Sequence, residues 1–472
     1  MRQHLKAAKL HACDLTSGIT RAQRLLPESH FVVQLRIAVW TGNARDTRPQ
    51  PDVARPMAGT VVSSRRERLH TDLISRVSRR TNVVKRDFDL IVYGATGYTG
   101  RLIAEYLATS YRGDDAPSWA IAGRSTDKLQ KVRADIGAPD DLPLVRADAT
   151  EPASLRSMCE RAAVIITTVG PYQLYGPELV AACAATGTAY VDLCGEPAWM
   201  RRMIDAHHEE AKRTGARIVF SCGFDSIPFD LGVLTLQEKA REKFGRPARR
   251  VKARLRKVKG GMSGGTAASA QATLAAAARD PALIRLLTDP FALTPGFTGP
   301  SQPSGLIPEY DPSMNVWLVP FPMAPINTKN VHRTNFLLGH PYGTDFVYDE
   351  MMVAPGFGEI ARVTTETFAT MVSLFGTGGL KPGAGPTREE REKGFYDILF
   401  LGELPDGGRV EAVVTGDRDP GYGSTSKMIA ESALCLVRDV QGEGGTWTPG
   451  ALMGPALRKR LKERAGLTFS AR

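Results

Sequence analysis

The residues best suited to chemistry are the glycines of Gly94-Ala95-Thr96-Gly97-Tyr98-Thr99-Gly100. They follow an apolar run, Phe88, Leu90, Ile91, Val92 and Tyr93. They precede Leu102, Ile103, Tyr106 and Leu107, which share one face of a helix. Strand, glycine turn and helix together bring backbone N–H groups and a favourable dipole to a pyrophosphate. A tight turn without a ligand is the alternative.

A second apolar run, Trp119 to Gly123, ends in Arg124-Ser125. An Asp or Glu at this strand tip would accept the ribose 2′-hydroxyl of NAD. A guanidinium cannot accept; it suits a 2′-phosphate, so the expected cofactor is NADP. A solvated arginine at a strand end is the alternative. Ser125, Asp148, Gly170 and Pro171 lie at neighbouring strand ends and complete the expected cofactor contacts with Gly94 to Gly100 and Arg124. Hydride transfer also needs a proton donor at the nicotinamide end. Tyr172 and Tyr175, just after the fourth strand, are the best-placed phenols, and Lys427 is a second candidate. A packing role for Tyr172 is the competing reading.

These residues need a scaffold. Strand and helix signals alternate from 87 to about 245. Strands are expected near 88–93, 119–123, 143–147, 163–169, 189–194 and 216–222. Helices are expected near 99–109, 126–136, 152–161, 177–186, 197–214 and 229–244. Crossover helices imply a parallel sheet covered on both faces, an α/β doubly wound Rossmann domain with its ligand beyond the strand C-termini. Asp192 to Glu196 and Cys222 to Ser226 end the fifth and sixth strands.

After 245 the pattern changes, and residues 246–415 read as an inserted α/β second domain. Val251 to Val258 alternates basic and apolar residues, and Gly260 to Thr266 leads into an Ala-rich helix. The segment 281–328 holds ten prolines and many apolar residues, and reads as a structureless lid or apolar binding surface. A loop draped over the core is the alternative. A hairpin is expected over 395–415, turning at Asp406-Gly407-Gly408. Residues 416–472, with a helix near 424–437, are expected to return to the first domain.

The net charge of +11 would suggest nucleic acid, but its distribution argues otherwise. Residues 1–86 hold 17 Lys/Arg and 6 Asp/Glu, whereas 87–472 hold 44 of each. The basic character belongs to the first segment, read as a disordered extension; a transit peptide or upstream sequence before a later start are its alternatives. No nucleic-acid partner is expected for the rest. The cysteines, Cys13, Cys159, Cys183, Cys194, Cys222 and Cys435, form no C-x-x-C pair. Reduced thiols in a cytoplasmic protein are expected, and no metal. Pro312, Pro320, Pro322 and Pro325 break the most apolar stretch, so no spanning helix is expected.

The chain resembles the saccharopine dehydrogenase-like oxidoreductases, in the branch of the trans-acting enoyl reductases. The motifs are GATGYTG (94–100), AGRS (122–125), GPYQLYG (170–176), YVDLCGE (190–196), FSCGFDSIPFDLG (220–232) and GDRDPGYGSTSKM (416–428). The resemblance spans about 87–470. It implies NADP, a Rossmann domain with an inserted second domain, and cofactor contacts at Gly94 to Gly100 and Arg124. The expected activity is reduction of an enoyl or related acyl group in lipid or glycolipid synthesis. The expected partner is a small-molecule or acyl substrate, with contact to a lipid surface left open. Two alternatives stand: an NADP-binding scaffold without catalysis, and a saccharopine-type amino-acid dehydrogenase. A short-chain dehydrogenase is disfavoured, because none of the twelve tyrosines has a lysine four residues later.

Overall fold

The computed structural model describes residues 86–260, 279–354 and 385–472, with scattered positions between 269 and 276 and at 356 and 358. The expectations for 1–85, and most of those for the Gly-rich turn and Ala-rich helix after 260, lie outside these residues.

β1 (Phe88–Tyr93) is buried on both faces, as a central parallel strand must be. Its side chains alternate between two cores: Leu90 and Val92 enter one, Ile91 and Tyr93 the other. α1 (Tyr98–Ser110) covers the first core with Ile103, Ala104 and Leu107. The alternation continues through β2 (Trp119–Gly123), α2 (Thr126–Asp135), β3 (Leu144–Arg146), α3 (Pro152–Arg161), β4 (Ala162–Thr167) and the single turn α4 (Tyr172–Tyr175). It runs on through α5 (Pro177–Thr186), β5 (Ala189–Val191), α6 (Pro197–Thr214), β6 (Arg217–Val219) and α7 (Ile227–Phe244).

The chain then builds β7 (Arg250–Lys259), α8 (Pro281–Thr288), β8 (Glu309–Asp311), β9 (Val316–Pro320), α9 (Ala324–Leu337) and β10 (Val347–Val353). It continues with α10 (Arg388–Glu392), β11 (Phe395–Glu403), β12 (Arg409–Gly416), α11 (Thr425–Arg438), β13 (Gly445–Trp447) and β14 (Leu467–Ala471). The first sheet has the order β13-β6-β5-β4-β1-β2-β3, with parallel pairings throughout. The strand order reverses at β1, so the switch point opens beside β1 and β4. The second sheet has the order β14-β12-β11-β7-β10-β9-β8 and is mixed: β7 and β10 are parallel, their other partners antiparallel. The first core runs from Leu90 and Val92 into Val251, Ala253, Ile398 and Phe400 of the second sheet.

Two expectations are corrected here. The segment 281–328 is not structureless: it contains α8, β8, β9 and the start of α9. Its prolines occupy positions that tolerate them, Pro320 at the end of β9 and Pro325 in the first turn of α9. Its apolar side chains Phe291, Leu293, Leu318 and Phe321 are buried in the body of the protein, and so line no open cleft. The final segment does not return only to the first sheet. β13 joins β6, but β14 pairs with β12 in the second. Leu467 and Phe469 point inward while Thr468 and Ser470 face out, the period-two pattern of a one-sided edge strand. Among the described residues, no helix is long and apolar enough to cross a membrane.

Candidate active site

The turn after β1 is shaped by what its glycines leave out. Gly94 has φ +89, and a Cβ there would lie 2.8 Å from Thr168 Oγ1 and 2.9 Å from Val169 Cγ2. A Cβ on Gly100 would lie 2.2 Å from the Gly94 carbonyl oxygen. The turn therefore packs against its own helix and against the end of β4. Gly97 donates to the Gly94 carbonyl at 2.9 Å. No side chain caps α1, and Thr96 and Gly97 are exposed. The first-turn N–H groups of α1 thus meet the solvent side uncapped, an arrangement fit for a pyrophosphate.

Gly123, at the tip of β2, packs beside Thr96: a Cβ there would lie 3.7 Å from Thr96 Cγ2. Arg124 follows it, exposed, with no hydrogen bond or ion pair among the described residues. Ser125 is next, but its hydroxyl caps α2 by accepting from the Lys128 N–H. The Asp148 carboxylate accepts from the Thr150 N–H and hydroxyl, which hold it below the usual carboxylate range. The Tyr98 side chain also turns away from the cradle. Its hydroxyl donates to the Pro386 carbonyl and accepts from Arg391, and its ring packs edge-on against Tyr422. Gly170-Pro171 is a cis peptide that leads into α4. The free groups are the α1 N-terminus and the Arg124 guanidinium; Ser125, Asp148 and Tyr98 serve the local structure.

The proton donor expected at Tyr172 requires correction. Tyr172 is 6% exposed, and its ring packs on Trp199. Its hydroxyl donates to the Thr167 carbonyl at 3.3 Å and accepts the Leu193 N–H at 3.1 Å. Burial pushes the phenol well above its ordinary value. Both its bonding and its acidity hold it in a packing role. Tyr175 is 43% exposed; its N–H donates to the Pro171 carbonyl at 3.1 Å, and its hydroxyl makes no hydrogen bond among the described residues. Lys427 is half-buried in the first turn of α11, and burial lowers its ammonium, with Asp417 acting in the opposite sense. Its charged surroundings are Asp417, Arg418 and Glu431, whereas those of Tyr172 are Asp192, Cys194 and Glu196. The candidates do not form one catalytic group.

What the sequence reading passed over is the network behind Tyr172. Asp192, fully buried, accepts from the Ser221 N–H at 2.7 Å, the Tyr190 hydroxyl at 2.8 Å and the Cys194 N–H at 3.0 Å. The Ser221 hydroxyl donates to the Cys194 carbonyl at 2.6 Å, and its backbone is left-handed, φ 59. Glu196 accepts the N–H groups of Tyr172 and Gln173, and so fastens α4. The loops after β4, β5 and β6 are thereby stitched into one rim. The sequence places the segments holding Asp192, Glu196 and Ser221 at strand ends on one rim, but it carries no signal for the hydrogen bonds that join them.

Burial pushes the Asp192 carboxyl up to about 7, against the opposing pull of its hydrogen bonds. Its folded value exceeds its unfolded one, so its stabilisation is complete below about pH 4 and is lost as pH rises through about 7. Asp192→Asn keeps a neutral polar group of the same shape. The midpoint of thermal unfolding should therefore fall less steeply from about pH 5 to about pH 8 in this variant than in the native chain. Parallel slopes in the two melts would show that Asp192 does not titrate in this window.

An α/β protein whose switch point offers an uncapped glycine turn, with a free guanidinium at the next strand tip, belongs to the NADP-binding Rossmann oxidoreductases. The sequence comparisons agree. The model of the saccharopine dehydrogenase NADP binding domain matches residues 90–219. The trans-acting enoyl reductase of Mycobacterium bovis is 38% identical over 409 residues, covering 80% of this chain and 96% of that protein. The trans-acting enoyl reductase of Mycobacterium leprae is 38% identical over 412 residues with the same coverage. A Mycobacterium tuberculosis relative reaches 41% over 412 residues, again with 80% and 96% covered. Among solved structures, apo saccharopine dehydrogenase (L-Glu forming) from Saccharomyces cerevisiae aligns with a TM-score of 0.49 and 11% identity, covering 81% of this chain and 99% of that one. The chain belongs to the saccharopine dehydrogenase-like family, in the branch that holds the trans-acting enoyl reductases. It is an NADP-dependent oxidoreductase.

Proposed function

We propose that this protein reduces the carbon–carbon double bond of an enoyl group on an acyl or lipid intermediate. NADPH, when bound, supplies the hydride. The α1 N-terminus and Arg124 hold the cofactor's phosphates, and the rim after β4, β5 and β6 orients the substrate and supplies the proton. The observation that carries the choice of substrate is that the rim's acids have no cationic partner among the described residues. Asp192, Glu196 and Asp225 stand at its strand ends, and none is paired with a cation among the described residues. A dicarboxylic amino acid needs cations to hold its carboxylates, and the rim's acids have none in pairing distance, whereas an uncharged enoyl thioester needs none. This disfavours the saccharopine-type alternative, and the built rim disfavours a scaffold without chemistry.

NADPH consumption with a panel of enoyl thioesters, keto thioesters and amino acids tests this reading. Oxidation with the enoyl members alone is expected. Turnover of an amino acid with no enoyl turnover would overturn it.

Contact with a lipid surface, if it accompanies this activity, is assigned to Leu306 and Ile307. They are exposed, Ile307 to 73%, and precede the edge strand β8. Replacing both by serine removes two apolar side chains, each worth ~1.5–3 kcal/mol when fully buried. Co-sedimentation with phosphatidylcholine vesicles should fall at least about tenfold, with NADPH affinity unchanged. Equal sedimentation of both proteins would remove the surface from the account.

A further inference from the structure

The first residue of α1 is held from far along the chain. Tyr98 is half-buried, and its hydroxyl donates to the Pro386 carbonyl. The same hydroxyl accepts from Arg391 Nη1 at 2.6 Å, and Nη1 also donates to the Pro386 carbonyl at 3.0 Å. The three groups close a triangle of hydrogen bonds between α1 and the segment 385–394. The ring is gripped as well. A Cβ on Gly385 would lie 2.5 Å from Tyr98 Cε1, so the backbone runs hard against the ring. The guanidinium carbon of Arg391 stands 5.8 Å from the ring centroid, and Tyr422 packs edge-on at 4.7 Å.

The segment needs this grip. α10 has five residues, none of them buried. A capping box joins Thr387 and Glu390, but a helix this short does not persist alone in water. Further ties are a hydrogen bond from the Asp419 N–H to the Arg391 carbonyl at 3.0 Å and the packing of Gly394 on Asp419. Arg388 also reaches Glu105 of α1 at 4.0 Å, an exposed pair of small worth. The segment then leads straight into β11, which pairs with both β7 and β12 of the second sheet. The backbone of Tyr98 meanwhile belongs to the uncapped first turn of α1. One residue thus serves the glycine turn with its main chain and α10 with its side chain.

We propose that Tyr98 is a positioning residue for the cofactor: its hydroxyl ties the phosphate-binding turn to Pro386 and Arg391, so that NADPH binding and the order of segment 385–394 are coupled. This rests on the reading of the α1 N-terminus as the phosphate cradle. A phosphate held by the first turn of α1 fixes the Tyr98 backbone, and with it the ring on which Gly385 and Arg391 pack. Coupling between two sites is reciprocal. The bound cofactor steadies α10 and the entry to β11, and α10 in its place steadies the turn for the cofactor. The coupling runs through the turn and not through the 2′-phosphate. Tyr98 therefore serves NADPH and NADH alike, whereas Arg124 tells them apart.

Two measurements on the full chain test this. The first needs no variant. Amide hydrogen exchange, read by mass spectrometry, should slow on addition of saturating NADPH in two peptides, one covering the turn 94–102 and one covering 385–394. The second uses variants. Tyr98→Phe keeps the ring and removes the hydroxyl. It should weaken NADPH and NADH alike by about threefold to tenfold. It should also abolish the cofactor-induced slowing in 385–394 while leaving that in 94–102. Arg391→Ala should weaken NADPH by a similar factor, and the double variant should bind no worse than the worse single one, since both break one clasp. Tyr111→Phe is the control. It deletes a phenol hydroxyl bonded to Glu431 at 2.6 Å just beyond the other end of α1, and should leave NADPH affinity unchanged. Slowing in 94–102 alone, slowing in 385–394 that survives in Tyr98→Phe, or additive losses would overturn the proposal and leave the cradle standing. Slowing in 385–394 alone, abolished in Tyr98→Phe, would support the clasp and remove the phosphates from α1. No slowing in either peptide would overturn both.

Discussion

Gly100→Ala is expected to abolish useful NADPH binding and to destabilise the fold. The new methyl group would lie 2.2 Å from the Gly94 oxygen, 2.7 Å from the Gly94 carbon and 2.9 Å from Ala95 Cα. All three are backbone atoms of the turn itself, so no side chain can swing away. The turn must open, and the α1 N-terminus must withdraw from the phosphates. Overpacking of this kind costs about 1–3 kcal/mol, which lowers the unfolding midpoint by about 2–4 °C per kcal/mol. NADPH affinity should fall by more than about tenfold. Gly97→Ala is the control, since its φ is ordinary and its Cβ would meet only the Gly94 oxygen, at 3.2 Å. Calorimetric titration and thermal melts give both quantities. If Gly100→Ala bound NADPH as the native chain does, the turn would not be the phosphate cradle.

Arg124→Ala should weaken NADPH and leave NADH nearly unchanged. The guanidinium makes no hydrogen bond or ion pair among the described residues and exerts only a Coulombic pull on Asp148 and Tyr93, so its removal breaks no bond in the fold. A hydrogen bond to a charged group contributes about 1.5–3 kcal/mol, or about 10–150-fold in affinity. Because Arg124 is exposed, the native preference for NADPH should also shrink at high salt. Equal losses for both cofactors would remove Arg124 from the 2′-phosphate.

The first sheet was legible because each of its strands announces itself locally. Ile91 and Ile165 lie within unbroken apolar runs, and the helices after them carry apolar residues at helical spacing. The second sheet was not, because β8 and β9 are short and embedded among prolines, and β14 is an edge strand of five residues. The long α9 was missed because its buried face is polar: Asn327, Asn330, Arg333 and Thr334 point inward, inverting the usual pattern. Of the site, the glycine turn and Arg124 could be read directly, since their roles depend on the backbone and on one exposed charge. Tyr172 could not. Its hydroxyl is taken by Thr167 and by Leu193 on a different strand end, a contact made only when β4 and β5 lie side by side. Glu350, buried on β10, has one donor on its own strand, Tyr348, but the other, Asn327, reaches it only when α9 packs on β10.

The central claim is that this fold moves a hydride from NADPH onto an enoyl group. NADPH deuterated at its transferable nicotinamide position, incubated with the protein and an enoyl thioester, tests it most directly by mass spectrometry of the product. The account predicts a saturated thioester carrying the deuterium at its β-carbon, formed as NADPH is consumed. A protein that binds NADPH but leaves every enoyl thioester unreduced, or a saturated product without the label, would contradict it.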